Sequence, residues 1–101
     1  MISVNGRISS ARDAVVSVLD HGFLYGEGVY ETLRTYRGQA FLFDRHMRRL
    51  RTSALMLDLP VPFGDDMIAE RCRQTLAAAE PDGSEAYIRI LVTRGVGELS
   101  Y

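Results

Sequence analysis

The stretch that most constrains the fold is residues 19–36, which reads LDHGFLYGEGVYETLRTY. Three glycines punctuate its first half, so the backbone there either bends sharply or lies close to another segment. From Val29 onward the side chains alternate with the period of two that is typical of a β-strand. The face opposite Val29 carries two tyrosines, an arginine and a threonine, namely Tyr30, Thr32, Arg34 and Tyr36. Such a face favours contact with a polar or anionic ligand.

Length and composition exclude several classes of protein. The 101 residues are enough for one domain with a modest core. A net charge of −1 gives no electrostatic footprint for nucleic acid, and no apolar run approaches the roughly 20 residues of a membrane helix. The single cysteine, Cys72, excludes an internal disulfide. Neither histidine has a ligand partner at metal-binding spacing, so we predict no metal site. These features fit a reduced, cytoplasmic setting.

Turn residues and alternating segments predict several strands. Asn5-Gly6 indicates a hairpin turn within residues 2–9, because both residues tolerate positive φ. A turn over residues 37–39 and another over 81–83 separate further segments, and a loop-like tail ends at Tyr101. The other predicted segments are a strand over 14–19, a glycine-rich loop over 19–28, strands over 28–36 and 40–43, and a long strand over 85–93.

A first helix is predicted over residues 44–58, with Asp44 as its N-cap and prolines beyond its end. One face of this helix is mainly apolar and carries His46, Leu50, Ser53, Ala54 and Leu57, with Met47 at its edge. Three arginines point away from that face, namely Arg45, Arg48 and Arg51. Arg49 lies on the rim between the two faces, which distinguishes it from the other arginines.

A second helix begins at Asp65 or Asp66 and runs to Ala79. Its predicted buried stripe consists of Ile68, Cys72, Leu76 and Ala79. Strands followed by two helices and a further strand favour the α+β class, with a mainly antiparallel sheet and two helices packed on one face. The tyrosines and arginines of the two long strands are then expected to share the other face.

Three motifs occur in the order found in a known family. They are DHGFLYGEGVYETLR at 20–34, HMRRL at 46–50 and YIRILVTRGVG at 87–97. Together they resemble the N-terminal half of the class IV pyridoxal-phosphate aminotransferases, which include branched-chain aminotransferases, D-amino acid aminotransferases and aminodeoxychorismate lyase. The resemblance implies the N-terminal lobe of a fold-type IV enzyme, a pyridoxal 5'-phosphate cofactor, amino acid and 2-oxo acid substrates, and a homodimer.

The chain contains no lysine, because its twelve basic residues are all arginine. Transamination on pyridoxal phosphate needs a lysine amine that holds the cofactor and moves protons. In the family this lysine lies in a second domain, so the resemblance implies that residues 1–101 are a single N-terminal domain that is inactive alone. Branched-chain amino acids are the expected substrates. Tyr30 and Thr32 depart from the S-V-F-E-G form of the main branched-chain enzymes, which leaves D-amino acids or a lyase reaction open.

The resemblance assigns a phosphate-binding role to Arg49 of H-x-x-R-L, whose guanidinium offers a rigid fork of donors for phosphate oxygens. The alternative is a solvated helix arginine. Tyr25 and Tyr30 are implied to line the substrate pocket, Tyr25 often reaching the partner subunit, and Arg34 to lie near the pocket mouth. The alternative for the tyrosines is aromatic packing between domains. No residue of this chain is assigned as the catalytic amine.

Tyr87 and Arg89 lie two residues apart on one strand face and are implied to serve the substrate α-carboxylate, whereas the alternative for Arg89 is a salt bridge within the sheet. Arg49 and this polar face are expected to share one cleft. Glu31, on the otherwise apolar face, is expected to form a structural hydrogen bond or ion pair. His46 is interpreted as a structural histidine, and His21 as part of a stabilised loop.

A rival hypothesis is a non-catalytic domain that binds anions or nucleic acid. It rests on the four arginines Arg45, Arg48, Arg49 and Arg51. The net charge of −1 and the spread of these arginines around the helix speak against it.

Overall fold

The computed structural model describes residues 1–79 and 85–97. Its elements, in chain order, are β1 (Ile2–Val4), β2 (Arg7–Ser9), α1 (His21–Tyr25), β3 (Gly28–Tyr36), β4 (Gln39–Ala40), α2 (Phe43–Met56), α3 (Asp65–Ala79) and β5 (Tyr87–Thr93). The predicted α+β class with antiparallel sheets is confirmed. The predicted turn at 81–83 and the end of the predicted tail lie outside the described residues. None of the helices within residues 1–79 and 85–97 has the length and apolarity of a membrane span.

Both hairpins turn where positive φ is tolerated. Asn5 and Gly6 have φ of 52° and 87°, and they join β1 to β2 in the predicted antiparallel pair. Arg37 and Gly38 have φ of 54° and 79° and join β3 to β4. The predicted strand over residues 40–43 is wrong beyond Ala40, because β4 has two residues and α2 begins at position 43.

The main sheet has the strand order β4-β3-β5 and is antiparallel throughout. The β3–β5 register runs from Gly28 opposite Thr93 to Arg34 opposite Tyr87. The inner face of β3 is buried against α2, whereas its outer face is exposed. The buried apolar core consists of Val29, Leu33, Met47, Leu50, Ala54, Leu59 and Ile68. The prediction that the polar positions of both long strands share the outer face is confirmed.

The segment between β2 and β3 differs from the prediction. Residues 14–19 form no strand, and residues 15–19 are exposed, including Val15 at 75%. The predicted glycine-rich loop contains the short helix α1. Asp20 caps its start by accepting the Gly22 N–H at 2.7 Å, and Gly26 ends it with φ of 70°. The strand prediction for 14–19 was wrong because it rested on apolar composition, and a segment forms a strand only where a neighbouring strand accepts its hydrogen bonds.

The start of α2 also differs from the prediction. The N-cap residue is Leu42, with φ of 55° and no side-chain capping bond, so Asp44 lies in the first turn and is not the cap. The negative charge of Asp44 still interacts favourably with the partial positive charge of the helix N-terminus. The buried face is rotated towards Met47, which is fully buried, and away from Leu57, which is 43% exposed.

The connection between α2 and α3 is held by Arg51. Its Nε and Nη2 donate to Asp65 Oδ1 at 2.9 and 2.6 Å, and Nη2 also donates to the Phe63 carbonyl at 2.8 Å. Arg51 therefore points away from the apolar face of α2, as predicted, but it is bound to the α2–α3 connection. The bounds of α3 agree with the prediction. Of its predicted stripe, Ile68 is buried and Ala79 is exposed.

We predict that Gly22→Ala destabilises the fold, because a Cβ at this position would lie 2.4 Å from Thr93 Cγ2. Moving that methyl group also disturbs the hydroxyl of Thr93, which donates to Asp20 Oδ2 at 3.0 Å. The expected loss in the free energy of unfolding is about 1–3 kcal/mol, measured by urea denaturation. Gly64→Ala is the matched control, since its Cβ would have no neighbour within 4 Å. Equal stability of the two variants would contradict the steric explanation.

Candidate functional site

A buried carboxylate organises the helix-covered face of the sheet. Glu31 is 5% exposed, and it faces α2 between the core residues of β3. Arg49 Nε donates to its Oε1 and Oε2 at 3.0 and 2.9 Å, and Arg49 Nη2 donates to Oε1 at 2.8 Å. His46 Nδ1 lies 2.7 Å from the same Oε1. The expected structural ion pair of Glu31 is confirmed, and His46 makes the expected hydrogen-bond contact although it is only half-buried.

The local geometry of both elements explains this meeting. Alternation along β3 turns Glu31 to the inner face, while its neighbour Tyr30 turns outward. His46 and Arg49 are three residues apart on α2, so their side chains lie on the same side of the helix, one turn apart. Arg49 reaches the carboxylate from the rim, and its side chain remains 68% exposed.

These contacts keep the site charged. The hydrogen bond from Arg49 lowers the pKa of Glu31 below its ordinary value, and the hydrogen bond from His46 acts in the same direction, although burial opposes them. The same carboxylate raises the pKa of Arg49 through its hydrogen bonds. Glu31 is therefore an anion and Arg49 a fixed cation near neutral pH.

The guanidinium of Arg49 keeps one edge for another acceptor. Glu31 occupies the edge formed by Nε and Nη2. The planar group has a second edge, formed by Nη1 and the other N–H of Nη2. Within residues 1–79 and 85–97, the hydrogen bonds of Arg49 come from Nε and Nη2, and Nη1 makes none. An exposed, pre-oriented pair of donors of this kind fits the oxygens of a phosphate group.

The outer face of the sheet brings together most of the other predicted site residues. Register places Arg34 opposite Tyr87, and Tyr30 opposite Leu91. The Cζ of Arg89 lies 4.4 Å from the centroid of the Tyr30 ring, so the guanidinium is stacked on that ring. Tyr87 is 78% exposed. Alternation along β5 also places the apolar residue Leu91 on this face, although it was not among the predicted site residues.

Tyr25 lies apart from this group, on α1. Its ring meets the edge of His21 in a T-shaped contact, with centroids 5.0 Å apart. His21 is buried, and its backbone N–H donates to the Gly95 carbonyl at 2.8 Å. Helix α1 is therefore held against the segment that follows β5, which agrees with the loop-stabilising role that we expected for His21.

The predicted site residues form two groups on opposite sides of the sheet. Arg49 is bound to Glu31 on the inner side, whereas Tyr30 and Arg89 lie on the outer side. A cavity of about 490 Å³ between β1, α3 and β5 is lined in part by Tyr87 and Arg89, but not by Arg49. The single shared cleft that the sequence predicted is therefore not formed by the described residues alone.

Comparison with known proteins identifies the family. The family model for amino-transferase class IV matches residues 28–101. The chain belongs to this family. A putative branched-chain-amino-acid aminotransferase of Methanocaldococcus jannaschii is 42% identical over 98 residues, which are 97% of this chain and 33% of that protein. Aminodeoxychorismate lyase of Bacillus subtilis is 37% identical over 101 residues, which cover all of this chain and 34% of that protein. D-alanine aminotransferase of Listeria monocytogenes is 34% identical over 95 residues, covering 94% of this chain and 32% of that protein.

Solved structures of class IV aminotransferases share the fold. The branched-chain amino acid aminotransferase of Escherichia coli superposes with a TM-score of 0.82 at 32% identity, over 95% of this chain and 32% of that one. The branched-chain aminotransferase of Thermoproteus uzoniensis superposes with a TM-score of 0.79 at 29% identity, over 94% of this chain and 33% of that one. The chain spans about a third of the length of its curated relatives.

We predict that Glu31→Gln lowers the free energy of unfolding at pH 7 by about 1.5–3 kcal/mol, because charged hydrogen bonds to a buried group are lost. The matched control is Asp65→Asn, which weakens the partly exposed Arg51–Asp65 pair between α2 and α3 and should cost about 1 kcal/mol or less. Both values come from urea denaturation.

The difference between wild type and Glu31→Gln should depend on pH. The pKa of Glu31 in the fold lies below its ordinary value of 4.5, so the ionised carboxylate contributes fully above pH 4.5. The contribution is lost as the pH falls through the lowered pKa. Unfolding curves for both proteins should therefore converge below pH 4.5, and a difference that persisted unchanged at lower pH would contradict the role of the charge.

Proposed function

We propose that this chain is the N-terminal lobe of a pyridoxal 5'-phosphate aminotransferase that moves an amino group between a branched-chain amino acid and a 2-oxo acid. The observation that carries the proposal is the guanidinium of Arg89 stacked on Tyr30, on an exposed face beside Leu91. A fixed cation next to apolar surface suits a substrate with a carboxylate and a hydrocarbon side chain. Relatives with lyase and D-alanine aminotransferase activities support two alternatives, cleavage of aminodeoxychorismate and transfer from D-amino acids.

The residues of this chain fit one part of the cofactor. Arg49 would hold the phosphate through the guanidinium edge that Glu31 leaves available. When bound, the cofactor supplies the electron sink for removal and return of the α-proton. The amine that this chemistry needs has to come from residues beyond this sequence, because the chain has no lysine. We therefore propose that residues 1–101 are inactive by themselves.

The outer face would hold the substrate. Stacking restrains the plane of the Arg89 guanidinium, so its N–H groups are oriented before a carboxylate arrives. Tyr30 and Leu91 are neighbours across the strands and offer apolar surface for a branched side chain. Arg34 and Tyr87 form the next cross-strand pair and would border this position. Tyr25, on α1, would line the pocket of a neighbouring subunit.

The test uses the complete protein loaded with cofactor. Transfer from L-leucine to a 2-oxo acid is expected, with slower transfer from D-alanine. Arg89→Ala should raise the KM for the amino donor roughly tenfold or more, because a charged hydrogen bond to the carboxylate is lost, while kcat changes less. The control is Arg71→Ala, since Arg71 also stacks on a ring, that of Phe63 at 4.8 Å. An unchanged KM in Arg89→Ala would refute the carboxylate role.

We also propose a homodimer, located in the cytoplasm. Its support is an apolar surface on and before α1, formed by the exposed residues Val15, Val16, Val18, Leu19, Phe23, Leu24 and Tyr25. So many neighbouring exposed apolar side chains are typical of an interaction surface.

The dimer is tested by sedimentation of the complete protein. The variant Phe23→Ser places a polar group on this surface and should shift the population towards monomer, because Phe23 is 69% exposed in the chain and would be buried in a dimer. The matched control is Leu55→Ser, at a position that is 80% exposed on α2. A monomeric wild type, or equal effects of both variants, would refute this interface.

A further inference from the structure

The contact between Glu31 and Arg49 has a consequence for ligand binding, which rests on the proposed function. We propose that Glu31 is a positioning residue, which holds the guanidinium of Arg49 so that its second edge receives the cofactor phosphate. Glu31 itself does not touch the ligand in this scheme. It acts through Arg49, and it depends on the rigid strand β3 for its own position.

The contacts indicate that the guanidinium of Arg49 is held in one orientation and does not form a loose ion pair. Two nitrogens of Arg49 make three hydrogen bonds of 2.8 to 3.0 Å with one carboxylate. The rest of the Arg49 side chain is largely exposed, so without this carboxylate little would restrict its rotamers. A guanidinium that is already ordered loses less entropy when it binds a phosphate.

The carboxylate is itself held from a second side. His46 Nδ1 lies 2.7 Å from Oε1, and the Glu31 side chain is only 6% exposed. The nearby Arg51–Asp65 pair is different, because both of its side chains are more than one-third exposed and Arg51 also binds a backbone carbonyl. The Glu31 carboxylate is therefore built into the core, whereas the carboxylate of Asp65 lies at the surface.

Two effects of Glu31 on a phosphate oppose each other. Its negative charge repels an anion, so its removal would tighten phosphate binding if charge dominated. Its hydrogen bonds orient Arg49, so its removal would weaken binding if orientation dominated. Because Arg49 already neutralises this carboxylate at hydrogen-bond distance, we expect orientation to dominate. The sign of the change therefore distinguishes a positioning residue from a neighbouring charge.

The experiment compares two ligands, pyridoxal 5'-phosphate and pyridoxal, in the complete protein. The ratio of their dissociation constants reports the contribution of the phosphate group alone. Wild type should prefer the phosphorylated ligand, and Arg49→Ala should lose this preference. Glu31→Gln should reduce the preference roughly tenfold or more, the effect of one charged hydrogen bond, and should leave the affinity for pyridoxal within about twofold. Asp65→Asn is the control and should leave both affinities unchanged.

Each result decides the proposal. A preference in Glu31→Gln that is unchanged or stronger, or an equal loss of affinity for both ligands, overturns the positioning role while the proposed function stands. If Glu31→Gln does not fold, Glu31→Asp replaces it. This variant keeps the charge but draws the carboxylate back by one methylene group, and it should also reduce the preference. Should wild type itself bind both ligands equally, the proposed function fails, and the positioning role fails with it.

Discussion

The buried carboxylate of Glu31 is the constraint on which the rest of the structure depends. An ionised group with 5% exposure is costly unless donors surround it. Both donors come from α2, one turn apart, so the helix can take only one rotation about its axis. In that rotation Met47, Leu50 and Ala54 lie in the core. The polar network and the apolar core are therefore satisfied by the same placement of α2 on β3.

Alternation along two strands then separates the chemistry of the lobe. The inner side of β3 carries the Glu31–Arg49 contact, and the outer side carries the stack of Arg89 on Tyr30. A hydrogen-bonded sheet separates the two sides, so a ligand that used both arginines would have to pass an end or an edge of the sheet. The proposed roles follow this division, with phosphate at Arg49 and substrate carboxylate at Arg89.

The glycine-rich segment joins the ends of the two long strands. Asp20 caps α1 and also accepts a hydrogen bond from Thr93 at the end of β5. Arg94 pairs with Glu27 and donates to the Leu57 carbonyl, which follows α2. Side chains from distant parts of the sequence therefore hold the start of β3, the end of β5, the short helix α1 and the end of α2 together at one corner.

The sequence by itself determined the features that depend on neighbours along the chain. Period-two alternation located both long strands and assigned their faces, and Asn5-Gly6 located a hairpin, because both signals are local. The family motifs indicated the family, which the match to the amino-transferase class IV model confirms. A helical wheel even separated Arg49 from Arg48, since position on a helix follows from spacing.

Only the tertiary structure decided which of these groups meet. Residues 14–19 have the composition of a strand but pair with no strand in the part of the chain that the structure describes. Leu42, in a left-handed conformation, takes the place of Asp44 at the start of α2. The sequence also could not predict that Arg49 is the hydrogen-bond partner of Glu31, or that Arg49 lies on the opposite side of the sheet from Arg89. Strand pairing and the rotation of a helix on a sheet depend on contacts between distant residues, and local patterns carry no information about them.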